Sequence, residues 1–145
     1  MFRLMTLGVG MWVRFLHLRR FAHKYLSKDK PLTMLDAGFG QGDYLAWLAK
    51  QYPSSTLVGY DLATEAHYKD NLQKAQNKLG QAKVTLQLQD LLQMNDENRF
   101  DVVYSIDVLE HIPTNQVVIE NIYRALKPGG YFYLSMPYEY GQNIL

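Results

Sequence analysis

Three glycines at alternate positions, Gly38, Gly40 and Gly42, join an apolar run to a segment of helical periodicity. Glycine lets the backbone take positive φ and lets a ligand approach with no Cβ in between. The dinucleotide fingerprint G-x-G-x-x-G has its third glycine three residues after the second, and Asp43 occupies that position here. A second carboxylate, Asp36, ends the apolar run and would repel a pyrophosphate. The loop therefore favours a cationic or amine-bearing ligand, whose acidic end the N–H groups of the following helix could bind.

Acidic residues also end the next two predicted strands. Asp61 lies 19 residues after Gly42 (61 − 42), where α/β nucleotide folds place the acid that binds the ribose hydroxyls. A carboxylate can accept hydrogen bonds from both hydroxyls at once. Asp90 closes the following strand. Each residue also has a structural interpretation, since Asp61 could cap the next helix and Asp90 could be a turn or helix-cap aspartate.

The fourth predicted strand, 100–106, is followed by Asp107, Glu110 and His111. Three interpretations of this cluster stand side by side: a divalent-cation site, a base or substrate contact at His111, and a purely structural role. A regular helix cannot direct three ligands within five residues at one point, so we predict no metal site. Histidine titrates near neutral pH, and His111 is the only nearby histidine, so we nominate it as the catalytic residue.

Five segments between residues 32 and 137 occur in a familiar order and spacing, among them D-A-G-F-G-Q-G, F-D-V-V-Y-S-I-D-V-L-E-H-I and A-L-K-P-G-G-Y. With them the chain resembles the class I, Rossmann-like S-adenosylmethionine-dependent methyltransferases, in their small-molecule type 11/12 branch. The resemblance implies an α/β fold with a doubly wound, mostly parallel sheet and helices on both faces. It also implies S-adenosyl-L-methionine as cofactor and direct methyl transfer to a small-molecule acceptor.

The resemblance assigns a part of the cofactor to each strand end. Asp61 would bind the ribose, and Asp90 with the backbone N–H of Leu91 would bind the adenine. Ser105 and Asp107 would contact the methionine part. The complete cofactor-binding set that the resemblance implies is Asp36, Gly38, Phe39, Gly40, Gly42, Asp61, Leu62, Asp90, Leu91, Ser105, Asp107 and Val108.

Alternating strands and helices must position these residues. Apolar periodicity and turn residues predict the third strand near the sheet edge and a helix with Thr114 as N-cap that stops at Lys127-Pro128-Gly129-Gly130. The predicted strands are 32–35, a second one within the turn-and-strand segment 54–61, 84–90, 100–106 and 131–137. The predicted helices are 11–26, 44–50, 63–79 and 114–126.

The composition describes one ordinary globular domain of 145 residues with 48% hydrophobic and 20% charged residues. There is no cysteine, which rules out a disulfide framework and a thiolate site and fits a reducing compartment; we expect a cytoplasmic protein. The 15 basic and 14 acidic residues are unevenly spread, because 1–28 carries a net charge of +6 and the remainder carries −5. Basic residues cluster only in that arm, so nucleic acid is disfavoured as a partner.

The chain divides into an N-terminal helical arm, 1–30, and a cofactor-binding core, 31–145. The apolar stretch 4–13 is too short to span a bilayer. Met11, Phe15, Leu18, Ala22 and Tyr25 mark one helical face, with Arg14 elsewhere on the helix. We favour an arm that packs on the core and covers the mouth of the site; contact with anionic lipid or a lipid-like substrate is the alternative. Aromatic residues near the expected mouth, Trp12, Phe15, Tyr138 and Tyr140, favour a lipidic or aromatic acceptor.

The C-terminal end departs from the resemblance. The family's seven-stranded sheet continues through two more strands, which this sequence lacks, so the fifth strand should be an open edge carrying Tyr131, Phe132, Tyr133 and Leu134. Such an edge can pair with another chain, so a homo-oligomer is conceivable. We favour a fragment or truncated form. The alternative function is a non-catalytic cofactor-binding or partner subunit with the same fold.

Overall fold

The computed structural model describes residues 2–62 and 65–137, with side chains at 10–62 and 67–137. Tyr138 and Tyr140, which the sequence analysis placed near the mouth of the site, and the first two residues of the predicted helix 63–79 lie outside the described residues. Strands and helices alternate along the core. In chain order the elements are α1 Phe2–Tyr25, β1 Thr33–Ala37, α2 Asp43–Gln51, β2 Thr56–Asp61, α3 Glu65–Leu79, β3 Val84–Leu88, a short 3₁₀ helix Leu91–Gln93, β4 Phe100–Ile106, a second 3₁₀ helix Leu109–His111, α4 Asn115–Ala125 and β5 Leu126–Ser135.

The five strands form one parallel sheet in the order β3-β2-β1-β4-β5. The chain runs outward from β1 to β3 and then returns to the other side of β1, so the order reverses between β1 and β4. Ligands of open α/β sheets bind at such a reversal, beyond the carboxyl ends of the strands. The prediction of a doubly wound α/β sheet is confirmed, and β3 and β5 are the edges of the described sheet.

Two apolar clusters cover the two faces of the sheet. Successive side chains of β1 point to opposite faces, so Met34 packs in one cluster while Leu35 and Ala37 pack in the other. The first cluster joins the sheet to α1, α2 and α3, and the second joins it to α4 and both 3₁₀ helices. Burial on both faces explains why β1 and β4 are nearly continuous apolar runs in the sequence.

A narrow stripe of apolar side chains packs helix α1 against the sheet. Leu18 and Ala22 are buried, and the ring of Phe21 packs against Tyr133 with 5.0 Å between centroids. The predicted apolar face is only partly correct, because Met11 and Tyr25 at its two ends are 47% and 45% exposed. The ring of Tyr25 nevertheless packs against Tyr131 on β5, with 5.3 Å between centroids, so the contact of α1 with the sheet continues to the C-terminal end of the helix.

Strand β5 begins five residues earlier than predicted. Leu126, predicted as the last residue of a helix, already pairs with Phe100, and the register shifts before Val102 pairs with Tyr131. The shift accommodates Pro128 and the glycines after it, which in the sequence indicate only the end of a helix. A salt bridge of 2.9 Å between Lys127 Nζ and Asp101 Oδ2 lies beside this irregularity.

Smaller differences concern the ends of other elements. Strand β1 extends to Ala37, two residues beyond the prediction, and β3 ends at Leu88, two residues before it. Thr114 precedes α4 as predicted but makes no side-chain capping hydrogen bond. Among the described residues, no helix combines the length and apolar character that crossing a bilayer requires.

Candidate functional site

A cavity of about 610 Å³ lies beyond the carboxyl ends of β1, β2 and β4, where the strand order reverses. Its size is in the range of sites for small molecules and cofactors. Its wall comes from the loops after four strands, so residues far apart in sequence meet there. The lining residues are Gly38, Phe39, Gly40, Gln41, Asp43, Tyr44, Asp61, Leu62, Asp90, Leu91, Leu92, Ile106, Asp107, Val108, His111, Ile112 and Pro113.

The glycine loop crosses the floor of the cavity in a conformation that favours glycine. Gly38 has φ +102° and Gly40 has φ +48°, and the Gly38 N–H donates to the carbonyl of Tyr60 at 2.8 Å. A Cβ on Gly38 would lie 2.2 Å from Val108 Cγ2, whereas one on Gly40 would meet no atom within 4 Å. Gly38 is therefore required by packing against the far wall, and Gly40 leaves open space above the backbone.

Gly42 does not line the cavity. It precedes α2 with φ +75°, and a Cβ there would lie 2.8 Å from Ala75 Cβ and 3.0 Å from Ala75 Cα. The missing side chain of Gly42 allows α2 and α3 to approach each other closely. Gly42 therefore affects the position of the glycine loop through helix packing and not through contact with a ligand.

The cavity lining is strongly acidic. Four carboxylates, Asp43, Asp61, Asp90 and Asp107, line it, and no lysine or arginine is among its described lining residues. Asp107 and Asp43 are paired with Arg14 and Lys78, which lie behind the lining, whereas Asp61 and Asp90 have no ion-pair partner among the described residues. The charge of these two unpaired carboxylates attracts a cationic ligand and opposes a pyrophosphate. The electrostatic argument therefore depends on the cavity lining and not on Asp36, which the sequence analysis had directed at the loop.

Asp61 joins the glycine loop to β2. Its Oδ2 accepts from the Gly40 N–H at 2.6 Å. Burial raises the pKa of the Asp61 carboxyl, while the N–H groups of Gly40 and Leu62 lower it. The carboxylate is thus oriented by the backbone at the edge of the cavity.

Asp90 agrees with both interpretations that the sequence left open, since it caps a helix and also lines the cavity. Its Oδ1 accepts from the Leu92 N–H at 2.9 Å and caps the 3₁₀ helix after β3, which is the structural interpretation. Asp90 also lines the cavity together with Leu91. One carboxylate oxygen therefore orders the turn while the residue remains part of the wall.

Asp36 is buried in the sheet and does not line the cavity. Its Oδ2 and the hydroxyl of Tyr104 on the neighbouring strand are both buried with no hydrogen-bond partner in the described structure. Burial raises the pKa of Asp36 well above its ordinary value; the nearby Tyr104 hydroxyl lowers it in part, and the charge of Asp61 raises it further.

Replacing Asp36 with asparagine should stabilise the protein increasingly as pH rises. A carboxyl whose folded-state pKa is raised stabilises the fold fully below its unfolded pKa of about 3.9, and that contribution is lost as pH rises toward the folded pKa. Between these values the wild type should lose up to about 1.4 kcal/mol per pH unit relative to Asp36→Asn. Thermal unfolding of both proteins from pH 4 to 8 measures the difference, and parallel curves would contradict a raised pKa.

Ser105, assigned to the methionine part, also lies outside the cavity lining. It is fully buried in β4, and its hydroxyl donates to the Ala37 carbonyl at 3.0 Å. That bond ties the ends of β1 and β4 together, immediately below the loops that line the cavity.

Arg14 is the residue that the sequence reasoning missed. Its Nε lies 2.6 Å from Asp107 Oδ2, and Asp107 has φ +56° and a buried Oδ1 without a hydrogen-bond partner. Arg14 precedes Leu18 by four residues and so continues the buried stripe of α1, which was the available signal. The sequence analysis assigns Arg14 to another part of the helix, and the structure corrects this. The arm therefore reaches the cavity wall through an ion pair.

Tyr44 links the same part of α1 to the cavity. Its ring lies 4.7 Å from that of Phe15 between centroids, and it lines the cavity. Burial raises the pKa of Tyr44 to about 12; the charge of Arg14 lowers it, and nearby carboxylates, Asp107 first, raise it. Tyr44 is therefore a neutral hydroxyl at physiological pH.

His111 lines the cavity at its exposed rim. Its side chain is 77% exposed, and its Nε2 lies 3.9 Å from Oε1 of Glu110. The other Glu110 oxygen is buried without a hydrogen-bond partner in the described structure. No group of three potential metal ligands occurs among the described residues.

Comparison with known proteins places this site in context. A family model described as a methyltransferase domain matches residues 35–134. The mitochondrial ubiquinone biosynthesis O-methyltransferase of Candida albicans is 31% identical over 111 residues, 76% of this chain and 34% of that protein. A sterol 24-C-methyltransferase of Gibberella zeae is 33% identical over 124 residues, 80% of this chain and 30% of that protein.

The fold has similar relatives among solved structures. A methyltransferase structure from Bacillus halodurans superposes with a TM-score of 0.68 at 27% identity, over 82% of this chain and 48% of that one. The chain thus spans about a third of the length of the two curated relatives and about half of this structure.

Proposed function

Because this chain belongs to the S-adenosylmethionine-dependent methyltransferases of the type 11 branch, we propose that it binds that cofactor in the acidic cavity and transfers its methyl group to a small-molecule acceptor. The observation that carries the proposal is the cavity lining, where Asp61 and Asp90 have no ion-pair partner among the described residues and no described lining residue is a lysine or arginine. A ligand with a sulfonium and an α-amino group and no phosphate has the complementary charge.

The residues around the cavity fit the parts of this cofactor. We propose that the open backbone at Gly40 admits the methionine part, near the buried and unpartnered Oδ1 of Asp107. Asp61 would accept from the ribose hydroxyls, since the Gly40 N–H already orients its carboxylate. Asp90 and Leu91 would bind the adenine from the next strand end.

The cofactor supplies a methyl group activated by its bond to a sulfonium, so that an acceptor nucleophile can attack the methyl carbon in line while the sulfur leaves as a neutral thioether. We propose that the protein contributes mainly position and the exclusion of water. Phe39, Tyr44, Val108 and Ile112 supply apolar or neutral wall, so a bound acceptor would be held in a largely dry site. His111 at the rim is the candidate base for removing a proton from the acceptor.

We propose a lipidic or aromatic acceptor. The rim next to the cavity carries apolar side chains, including Leu62 at 60% and Leu92 at 37% exposure. Two of the relatives act, by name, in ubiquinone biosynthesis and on sterols. Apolar exposed side chains around a cavity mouth favour such ligands over strongly hydrated ones.

Calorimetric titration of the chain with S-adenosylhomocysteine tests the cofactor site, with NAD as the control ligand. We expect binding of the former alone. Binding of NAD alone would contradict the electrostatic argument, and a folded chain that binds neither ligand would contradict the assignment of the cavity.

His111→Ala should lower methyl transfer by about 10²- to 10⁴-fold, the usual contribution of a general base, while leaving S-adenosylhomocysteine affinity unchanged. Turnover is measured with radiolabelled cofactor and a panel of phenolic, sterol and amine acceptors. His17→Ala is the matched control, since His17 is an exposed histidine on α1 away from the cavity lining. Equal turnover of both variants, with the same pH profile, would exclude His111 as the base.

A further inference from the structure

Helix α1 carries exposed apolar residues in the first turn whose side chains the structure describes. Trp12 is 68% exposed, Met11 47% and Val13 40%. Three consecutive apolar side chains, each exposed, leave little polar surface on this turn of the helix. A tryptophan at such a position is typical of surfaces that enter the interface between lipid headgroups and acyl chains.

The same side of the helix becomes basic two turns further on. Arg19, Arg20 and Lys24 are all exposed, and 1–28 contains six basic residues and no carboxylate. At 1.5 Å per residue, Trp12 and Lys24 are separated by about 18 Å along the axis. We call Trp12, Val13, Arg19, Arg20 and Lys24 the outward face of α1; Met11 lies on the face of Leu18, beyond the end of the buried stripe.

The underside of α1 fixes the orientation of this face. Leu18 and Ala22 are buried against the core, and Arg14 pairs with Asp107 at the cavity wall. The ring of Phe15 packs on Tyr44, which itself lines the cavity. The outward face therefore cannot turn inward without breaking these contacts, and it begins beside the cavity wall.

We infer that the outward face of α1 docks on the surface of an anionic lipid bilayer. Basic side chains gain electrostatic energy at anionic headgroups, and the apolar turn buries its surface at the acyl boundary. Charge complementarity supports this partner, since 1–28 has a net charge of +6 while the remainder has 1 − 6 = −5. Nucleic acid would satisfy the basic turn and leave Met11, Trp12 and Val13 exposed, so the bilayer is the better match. The inference concerns binding only and does not depend on methyl transfer.

Vesicle flotation tests this inference on the full chain. We expect binding to phosphatidylcholine vesicles that contain phosphatidylglycerol and much weaker binding to phosphatidylcholine alone. Arg19→Glu with Arg20→Glu should lower partitioning by about 30-fold or more, taking roughly fivefold for each basic residue at an anionic surface. The matched control is Lys50→Glu with Lys83→Glu, which makes the same change in net charge at exposed positions elsewhere. Trp12→Ser should also weaken binding severalfold, and Tyr123→Ser, at an 80% exposed position on α4, should not.

Three outcomes would overturn the inference. They are absence of wild-type binding to anionic vesicles, equal losses in the arm and control variants, and displacement of the protein from vesicles by RNA at equal phosphate concentration. Titration with S-adenosylhomocysteine is run on every variant. The four substituted surface positions of the arm and control pairs lie outside the cavity lining, so unchanged affinity is expected and separates this inference from the proposed function.

Discussion

Replacing Gly38 with alanine should remove cofactor binding and destabilise the fold. The backbone φ of +102° is unfavourable for an L-residue, and the new Cβ would lie 2.2 Å from Val108 Cγ2. The two effects together should lower the free energy of unfolding by about 2–5 kcal/mol, from about 1–2 for the backbone and 1–3 for overpacking. Any relief requires Val108, a cavity-wall residue, to move. We therefore expect the affinity for S-adenosylhomocysteine to fall by about 100-fold or more.

Gly80→Ala is the control for the backbone contribution. Gly80 also has positive φ, +57°, but a Cβ there would meet no atom within 4 Å, and it lies outside the cavity lining. We expect this variant to lose only about 1–2 kcal/mol of stability and to keep full cofactor affinity. Denaturant unfolding and calorimetry of the two variants measure both quantities. If Gly38→Ala behaved like Gly80→Ala in both, close contact between the loop and Val108 would not be a requirement of the site.

Replacing Asp61 with alanine should weaken cofactor binding without a comparable loss of stability. A hydrogen bond to a charged group contributes roughly 1.5–3 kcal/mol, which corresponds to about 10- to 150-fold in affinity. The folded state gains little from this carboxylate, because burial raises its pKa and opposes its charge. Its removal relieves that cost and leaves the Gly40 N–H without its partner, so the two changes in stability oppose each other.

Two further variants distinguish the possible causes of weaker cofactor binding in Asp61→Ala. Asp61→Asn keeps an oxygen that can accept from Gly40, so an intermediate affinity would indicate that the charge of the carboxylate binds the ribose. Asp29→Ala removes an exposed carboxylate away from the cavity and should leave affinity unchanged. Wild-type affinity in a folded Asp61→Ala protein, measured by titration with S-adenosylhomocysteine, would remove Asp61 from the site.

The order of the strands along the chain and most residues of the candidate cavity could be predicted from the amino-acid pattern. Strand β4 lies where its β-prone run predicted, and the glycine loop and the acids Asp61 and Asp90 line one cavity. The physical reason is that parallel strands all end at the same edge of a sheet, so residues that follow strands in the sequence must converge in space. The position of a residue directly after a strand therefore predicts its place in the folded protein wherever the strands are known to be parallel.

Contacts between distant segments could not be predicted from the pattern and became visible in the folded chain. Asp36 is buried beside Tyr104, and Gly42 leaves the space that Ala75 of α3 occupies. Asp36 and Gly42 nevertheless both belong to the motif from which the ligand was predicted. Arg14 pairs with Asp107 although the two residues are far apart in sequence, and a shift of register lets β5 begin before its glycines. A sequence pattern records which residues share a face of one element. It does not record which residue of another element lies opposite that face, because packing distances and crossing positions determine that neighbour.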